Sequence, residues 1–108
     1  MSGERVIPGT ANVFADLGYR DADERQTKLR LAFAINQIVR ANRLTQAAVA
    51  ELLEVNQPKV SALLNYKLAG FSVERMMTFL TALDRDVDIV IRKKPRSRSD
   101  GRITVIAA

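Results

Sequence analysis

The sequence contains no cysteine and no histidine in its 108 residues. Disulfide bonds, metal sites built on thiolate or imidazole ligands, and catalysis that depends on cysteine or histidine are therefore excluded within one chain. Long hydrophobic runs are also missing, because the most apolar stretches, Leu31–Ile35 and Val87–Ile91, are far too short to span a bilayer. The polar start, Met1–Asn12, lacks the apolar core of a signal peptide. We therefore expect a cytoplasmic protein with no metal, no cofactor and no membrane contact.

A catalytic role has little support among the residues that are present. The one notable group of carboxylates is Asp16, Asp21, Asp23 and Glu24. These acids lie at the start of a stretch with helical spacing, where acidic side chains stabilise a helix through its dipole. Hydrophobic residues at 47% and charged residues at 27% indicate one folded domain with a modest core. We do not expect an enzyme.

The net charge of +5 comes from one short segment. Residues 1–91 contain 11 basic and 11 acidic residues, so they are neutral as a whole. Three interpretations stay open for the basic segment that follows: a mobile solvated loop, a nonspecific clamp on phosphates, or a surface for an acidic partner. Residues 92–102 hold one acid, Asp100, and the six cations Arg92, Lys93, Lys94, Arg96, Arg98 and Arg102.

Hydrophobic periodicity and helix caps predict a helical domain over residues 21–85, preceded by an N-terminal arm at 1–20. The first helix is expected to begin near Asp21 or Asp23 and to end near Asn42. Three polar residues, Thr45, Asn56 and Ser72, are each suited to cap the helix that follows. The other predicted helices are Gln46–Leu53, Gln57–Tyr66 and Val73–Leu83.

The pattern changes in the remaining residues, 86–108. Val87, Ile89 and Ile91 alternate with the residues between them, which is the period of a strand, and Ile103–Ile106 has the composition of a second strand. The sequence thus predicts a short C-terminal β-hairpin tail with a basic loop. Such a hairpin is marginal unless a helix or a second chain covers it. The expected fold class is mainly α, with this hairpin at the end.

The segment Gln46–Asn65 meets the steric demands of two helices that cross at a tight turn. Ala50 is the small residue required where the helices approach most closely, and Val55 is the apolar residue that fills the turn. Val60 and Leu63 lie at helical spacing on the inner side of the third helix. The spacing therefore predicts a helix-turn-helix whose core residues are these four.

The outer face of the third helix carries residue types that suit a DNA surface. The Gln57 amide can bond the edge of adenine, and Lys59 can reach guanine or a phosphate. Gln46 begins the second helix, where free backbone N–H groups also favour a phosphate. The alternative is an ordinary pair of helices with a solvated exterior, but the small residue, the apolar plug, the cap and the polar face together favour DNA binding. The predicted DNA-contacting residues are Gln46, Asn56, Gln57, Lys59, Ser61, Ala62, Asn65 and Lys67.

These residues resemble a known family. The stretch "LTQAAVAELLEVNQPKVSALLNYK" is similar to the helix-turn-helix of the lambda-repressor-like, or Cro/XRE, transcriptional regulators. The flanking stretches "NVFADLGY" and "FSVERMMTFLTALDRDVDIVI" resemble a narrower group, the HigA-like antitoxins and their stand-alone relatives. The resemblance covers most of residues 12–92. One position departs from the family, because Glu54 stands where a glycine with left-handed backbone is usual, at a cost of about 1–2 kcal/mol.

The resemblance implies a helical bundle of about five helices that binds double-stranded DNA as a homodimer. Two recognition helices would then enter successive major grooves of a palindromic operator. In the family, the residues that match Gln46, Gln57, Lys59, Ala62 and Asn65 lie at the DNA interface.

Two functions follow as hypotheses. The first is a sequence-specific transcriptional regulator that binds its operator as a homodimer. The alternative is an antitoxin that neutralises a ribonuclease-type toxin and represses its own operon. A neighbouring reading frame for a small basic toxin would favour the second hypothesis.

Overall fold

Four helices make up the regular structure of the computed structural model, which describes the backbone of residues 12–107 and the side chains of residues 22–107. The helices follow one another through short connections, and the residues after the last helix run along the surface of the bundle. They are α1, Asn12–Ala41; α2, Gln46–Leu53; α3, Gln57–Leu64; and α4, Val73–Ala82.

The first helix is longer than the sequence indicates. It begins at Asn12 rather than near Asp21 or Asp23, and its 30 residues run about 45 Å, which matches the longest extent of the molecule, 46 Å. No proline interrupts residues 12–41, and the lone Gly18 costs only about 1 kcal/mol relative to alanine. The acids expected to cap the helix therefore lie within it. Residues 1–11 of the predicted arm lie outside the described residues.

The later helices begin where their caps predict. The side-chain oxygens of Thr45, Asn56 and Ser72 each accept a hydrogen bond from the backbone N–H three residues on, at 3.1, 2.9 and 3.0 Å. Each bond satisfies a donor that the first turn of a helix leaves free, which stabilises the helix by about 1 kcal/mol. The predicted starts of α2, α3 and α4 are confirmed.

A single hydrophobic core lies between α1 and the three short helices. The side chains of Ile35, Val49, Val60, Leu63 and Met76 are wholly removed from solvent. They come from all four helices, so the core joins each helix to the others. The remaining buried apolar residues are Leu31, Ala32, Ile38, Val39, Leu53, Leu68, Phe71, Phe79, Leu80 and Leu83.

All four helices end at a residue in the left-handed conformation that is not glycine. In each case the N–H of the next residue donates back to a carbonyl in the last turn, which is the Schellman arrangement. Because one of these residues is Tyr66, α3 ends at Leu64, two residues before its predicted end. The four residues and their φ values are Arg43 at 53°, Glu54 at 58°, Tyr66 at 63° and Asp84 at 64°.

The predicted fold class is wrong in two respects. Residues 12–107 contain four helices rather than about five, because the stretch before Asp21 continues α1 instead of forming a helix of its own. They also contain no strand, so there is no C-terminal β-hairpin. Within residues 86–107 the one backbone hydrogen bond is from Arg98 N–H to the Pro95 carbonyl.

The two predicted strands contact different helices, which explains why they do not pair. Val87 packs along α4, whereas Val105 lines a groove on α1 together with Leu29 and Phe33. Two strands joined by so long a loop are marginal alone. Contact of each segment with its own helix replaces the pairing between them.

Candidate nucleic-acid interface

The turn between α2 and α3 is closed by backbone hydrogen bonds. The Val55 N–H donates to the Ala50 carbonyl at 3.1 Å, and the Glu54 N–H donates to the Glu51 carbonyl at 3.3 Å. Ala50 and Val55 are both half-buried against the core. The two helices are therefore joined with only Glu54, Val55 and Asn56 between them.

Glu54 takes the left-handed conformation at this turn, with φ 58° and ψ 45°. A Cβ in this conformation costs about 1–2 kcal/mol, which a glycine would avoid at some loss of chain entropy. We expect Glu54→Gly to raise the free energy of unfolding by about 1 kcal/mol, measured by urea denaturation. Glu51→Gly is the matched control, since the same change within an exposed helix should lower that free energy by about 1 kcal/mol. If both substitutions change the free energy of unfolding in the same direction, the backbone of Glu54 is not strained.

The inner side of α3 anchors it, and the outer side faces solvent. Val60 and Leu63 are both 0% exposed, so the orientation of the helix about its axis is determined. Ser61 and Ala62 are half-buried at the margin between the two sides. The other predicted DNA-contacting residues are all exposed: Gln46, Asn56, Gln57, Lys59, Asn65 and Lys67. Six of the eight predicted residues are therefore open to solvent, and none of the eight is fully buried.

Two of these polar side chains also form hydrogen bonds at the ends of α3. The Asn56 side-chain oxygen accepts the Lys59 N–H, and the Asn65 amide donates to the Ser61 carbonyl at 2.8 Å. By contrast, the side chains of Gln46, Gln57 and Lys67 make no hydrogen bond to any described residue. Gln57, in the first turn of α3, therefore has its whole amide available to a ligand.

Lys59 has contacts that the sequence does not reveal. Its Nζ lies 3.5 Å from the Gly70 carbonyl, to which it donates, and 4.9 Å from the centre of the Phe71 ring. Phe71 is buried and packs edge-on against Phe79, with ring centres 6.0 Å apart. The ammonium therefore ties the first turn of α3 to the loop before α4 in addition to any contact with DNA. A partner 12 residues away leaves no local pattern that could have predicted it.

Metal sites and membrane-spanning helices have no candidates among the described residues. No group of three or more acidic side chains lies close enough together among them to hold a metal ion. Within the same part of the chain, none of the helices combines the length and the apolar character needed to cross a membrane.

Comparison with known proteins agrees with the geometry of α2 and α3. A family described as "Helix-turn-helix domain" matches residues 13–92. A solved structure named "Putative XRE Family Transcriptional Regulator" is 69% identical, with a TM-score of 0.79, and the match covers 82% of this chain and 99% of that one. No curated protein matches the sequence. The chain therefore belongs to the helix-turn-helix domain family and to the XRE family of DNA-binding transcriptional regulators.

Proposed function

We propose that this regulator binds a palindromic operator as a homodimer, with α3 of each protomer in the major groove. The observation that carries the proposal is the division of α3 into two sides. Val60 and Leu63 are fully buried, while Gln57 is exposed with no hydrogen bond to the described residues. A helix held rigidly by one side and polar on the other suits recognition of base edges.

Within this proposal the residues divide into two roles. Gln57 and Ala62 are assigned to base edges, the first through its amide and the second through contact with a thymine methyl group. Gln46, at the first position of α2, and Lys67, just after α3, are assigned to phosphates. Asn56, Lys59, Ser61 and Asn65 complete the surface, and each of them also makes a hydrogen bond within the chain. The proposal includes no catalytic role and no cofactor.

The exposed apolar residues of the tail support the homodimer. Ile89, Ile91 and Ile106 are 74%, 91% and 78% exposed, and the backbone around them is not paired within the described residues. Unpaired extended segments of β-forming residues are templates for pairing with an identical chain. Together with Phe33, which is 56% exposed on α1, they leave on the order of several hundred Å² of apolar surface for a second protomer.

Selection of bound sequences from a random duplex pool tests the proposal. The expected result is a palindrome whose half-sites lie about one helical turn apart. Light scattering at micromolar concentration should give the mass of two chains. Binding without any sequence preference, or a monomer both free and on DNA, would overturn the proposal.

An antitoxin role is the second candidate, and the same exposed apolar surface of the tail is what favours it. A toxin would then occupy this surface in place of, or beside, the second protomer. Coexpression with the product of the neighbouring reading frame tests this role. A complex of defined stoichiometry that suppresses the toxicity of that product supports it, and independent behaviour of the two chains overturns it. The HigA-like subgroup and the cytoplasmic location stay predictions.

A further inference from the structure

The basic loop, residues 92–102, holds the whole charge excess of the protein. Outside it the chain contains as many acids as bases, so the rest of the chain has no net charge to attract a polyanion. Nonspecific affinity for DNA comes almost entirely from cations placed against phosphates. The charge distribution therefore separates the surface that can distinguish sequences from the segment that can attract the duplex.

Four cations of the basic loop have no partner in the described part of the chain. Arg92, Lys93, Arg96 and Arg102 are exposed and take part in no hydrogen bond or ion pair there. An unpaired, hydrated cation can bind a phosphate without first losing an internal contact.

The other two cations give the basic loop its shape. The Lys94 ammonium donates to the Arg98 carbonyl at 2.8 Å, and the Arg98 guanidinium donates to the Asp100 carbonyl at 3.1 Å. The Arg98 N–H closes a turn on the Pro95 carbonyl at 3.3 Å. These bonds involve backbone oxygens and leave the four unpaired side chains free to point outward.

The first turn of α3 contacts the loop before α4, and the residues that precede the basic loop contact α4 itself. Lys59 in that turn contacts Gly70, two residues before the Ser72 cap of α4. Val87 and Ile89, just before the basic loop, line a groove of about 250 Å³ together with residues from the first to the last turn of α4. Arg92 follows Ile89 by three residues, at most about 11 Å along the chain. The groove is lined by Glu74, Met77, Thr78, Thr81, Val87 and Ile89.

We propose that the basic loop is a second DNA contact, which binds backbone phosphates beside the groove that α3 enters. This inference rests on the proposed function of α3. The composition of the loop favours phosphate over an acidic protein, since residues 92–102 contain no aromatic or aliphatic anchor. Protein interfaces depend on such anchors, whereas phosphate contacts need only cations and hydroxyls.

Salt dependence tests the inference in the full-length protein. The variant R92Q/K93Q/R96Q/R102Q removes the four unpaired charges and leaves the turn bonds of Lys94 and Arg98 intact. Binding to a short duplex of arbitrary sequence is measured over a range of salt concentrations. The slope of log K against log salt should become shallower by about 3.6 per bound protomer. Across a fourfold rise in salt, the unmodified protein should therefore lose on the order of 100-fold more affinity than the variant.

The matched control keeps every charge. The variant R92K/K93R/R96K/R102K should retain the slope of the unmodified protein, because phosphate binding of this kind depends on charge. The ratio of operator to nonspecific affinity should stay unchanged in both variants. A neutralised variant that keeps the original slope overturns the inference and leaves the solvated loop and the acidic partner as its interpretations, while the proposed function still stands. Absence of any selected sequence would instead overturn the proposed function.

Discussion

Leu63→Ala is expected to lower the free energy of unfolding by about 3 kcal/mol, measured by urea denaturation. Leu63 is wholly buried on the inner side of α3, and truncation there removes apolar contact and leaves a cavity. The loss is a large share of the 5–15 kcal/mol that stabilises a typical domain. DNA binding should weaken in parallel at temperatures where the variant begins to unfold, since the same contact holds the outer face of α3 in place.

Leu64→Ala is the control for this prediction. It makes the same change in the next residue of the same helix, but Leu64 is only half-buried, so less apolar contact is lost. We expect an effect no more than about half as large. Equal losses for Leu63 and Leu64 would contradict the assigned orientation of α3 about its axis.

Gln57→Ala is expected to reduce discrimination at one base pair of the operator by about 1–3 kcal/mol, which corresponds to roughly fivefold to 150-fold. Its amide is exposed in the first turn of α3 and makes no hydrogen bond to the described residues, so truncation removes no contact that stabilises the fold. The measurement is the affinity of the variant for the selected operator and for duplexes altered at single base pairs. Unfolding by urea should be nearly unchanged.

Gln46→Ala separates base recognition from phosphate binding. Gln46 is also an exposed glutamine at the first position of a helix, here α2, so the chemical change is identical. Because Gln46 is a proposed phosphate ligand, its truncation should weaken binding to all duplexes alike and leave sequence preference intact. If Gln57→Ala behaves in the same uniform way, α3 is not the helix that recognises bases.

The structure suggests how affinity and specificity divide along this chain. The face of α3 offers amides, a hydroxyl, a methyl group and one ammonium, whereas the charge excess lies some 30 residues later. Because α2 and α3, which carry the proposed recognition surface, have no net charge, removal of the basic loop's charge should change the affinity for DNA far more than the preference for one sequence. Neutralising the four unpaired cations of the basic loop is therefore expected to change affinity, and Gln57→Ala is expected to change sequence preference. The same binding assay measures both.

Local signals predicted the middle of the chain well. The caps Thr45, Asn56 and Ser72 act through hydrogen bonds to residues three positions away, so sequence spacing already contains their geometry. The left-handed conformation that the family resemblance implied for this turn is present at Glu54, although the family's usual glycine is absent. These short-range rules located α2, α3 and the turn between them.

Features that depend on distant partners were not predictable in the same way. The contact of Lys59 with Phe71 joins residues 12 apart through a flexible side chain. The start of α1 differs from its prediction for a local reason: a polar residue that can cap a helix can also lie within one, and residues 12–20 contain no proline that would end it.

By itself, the sequence determined the helix-turn-helix, the caps that begin its helices and the placement of all net charge in the basic loop. Tertiary structure decided the fate of the tail, where alternating Val87, Ile89 and Ile91 predicted a strand that does not form in residues 12–107. A helix satisfies its backbone hydrogen bonds within its own residues, whereas a strand needs a second segment beside it. Here Val87 and Val105 pack on different helices, so neither segment supplies that neighbour to the other.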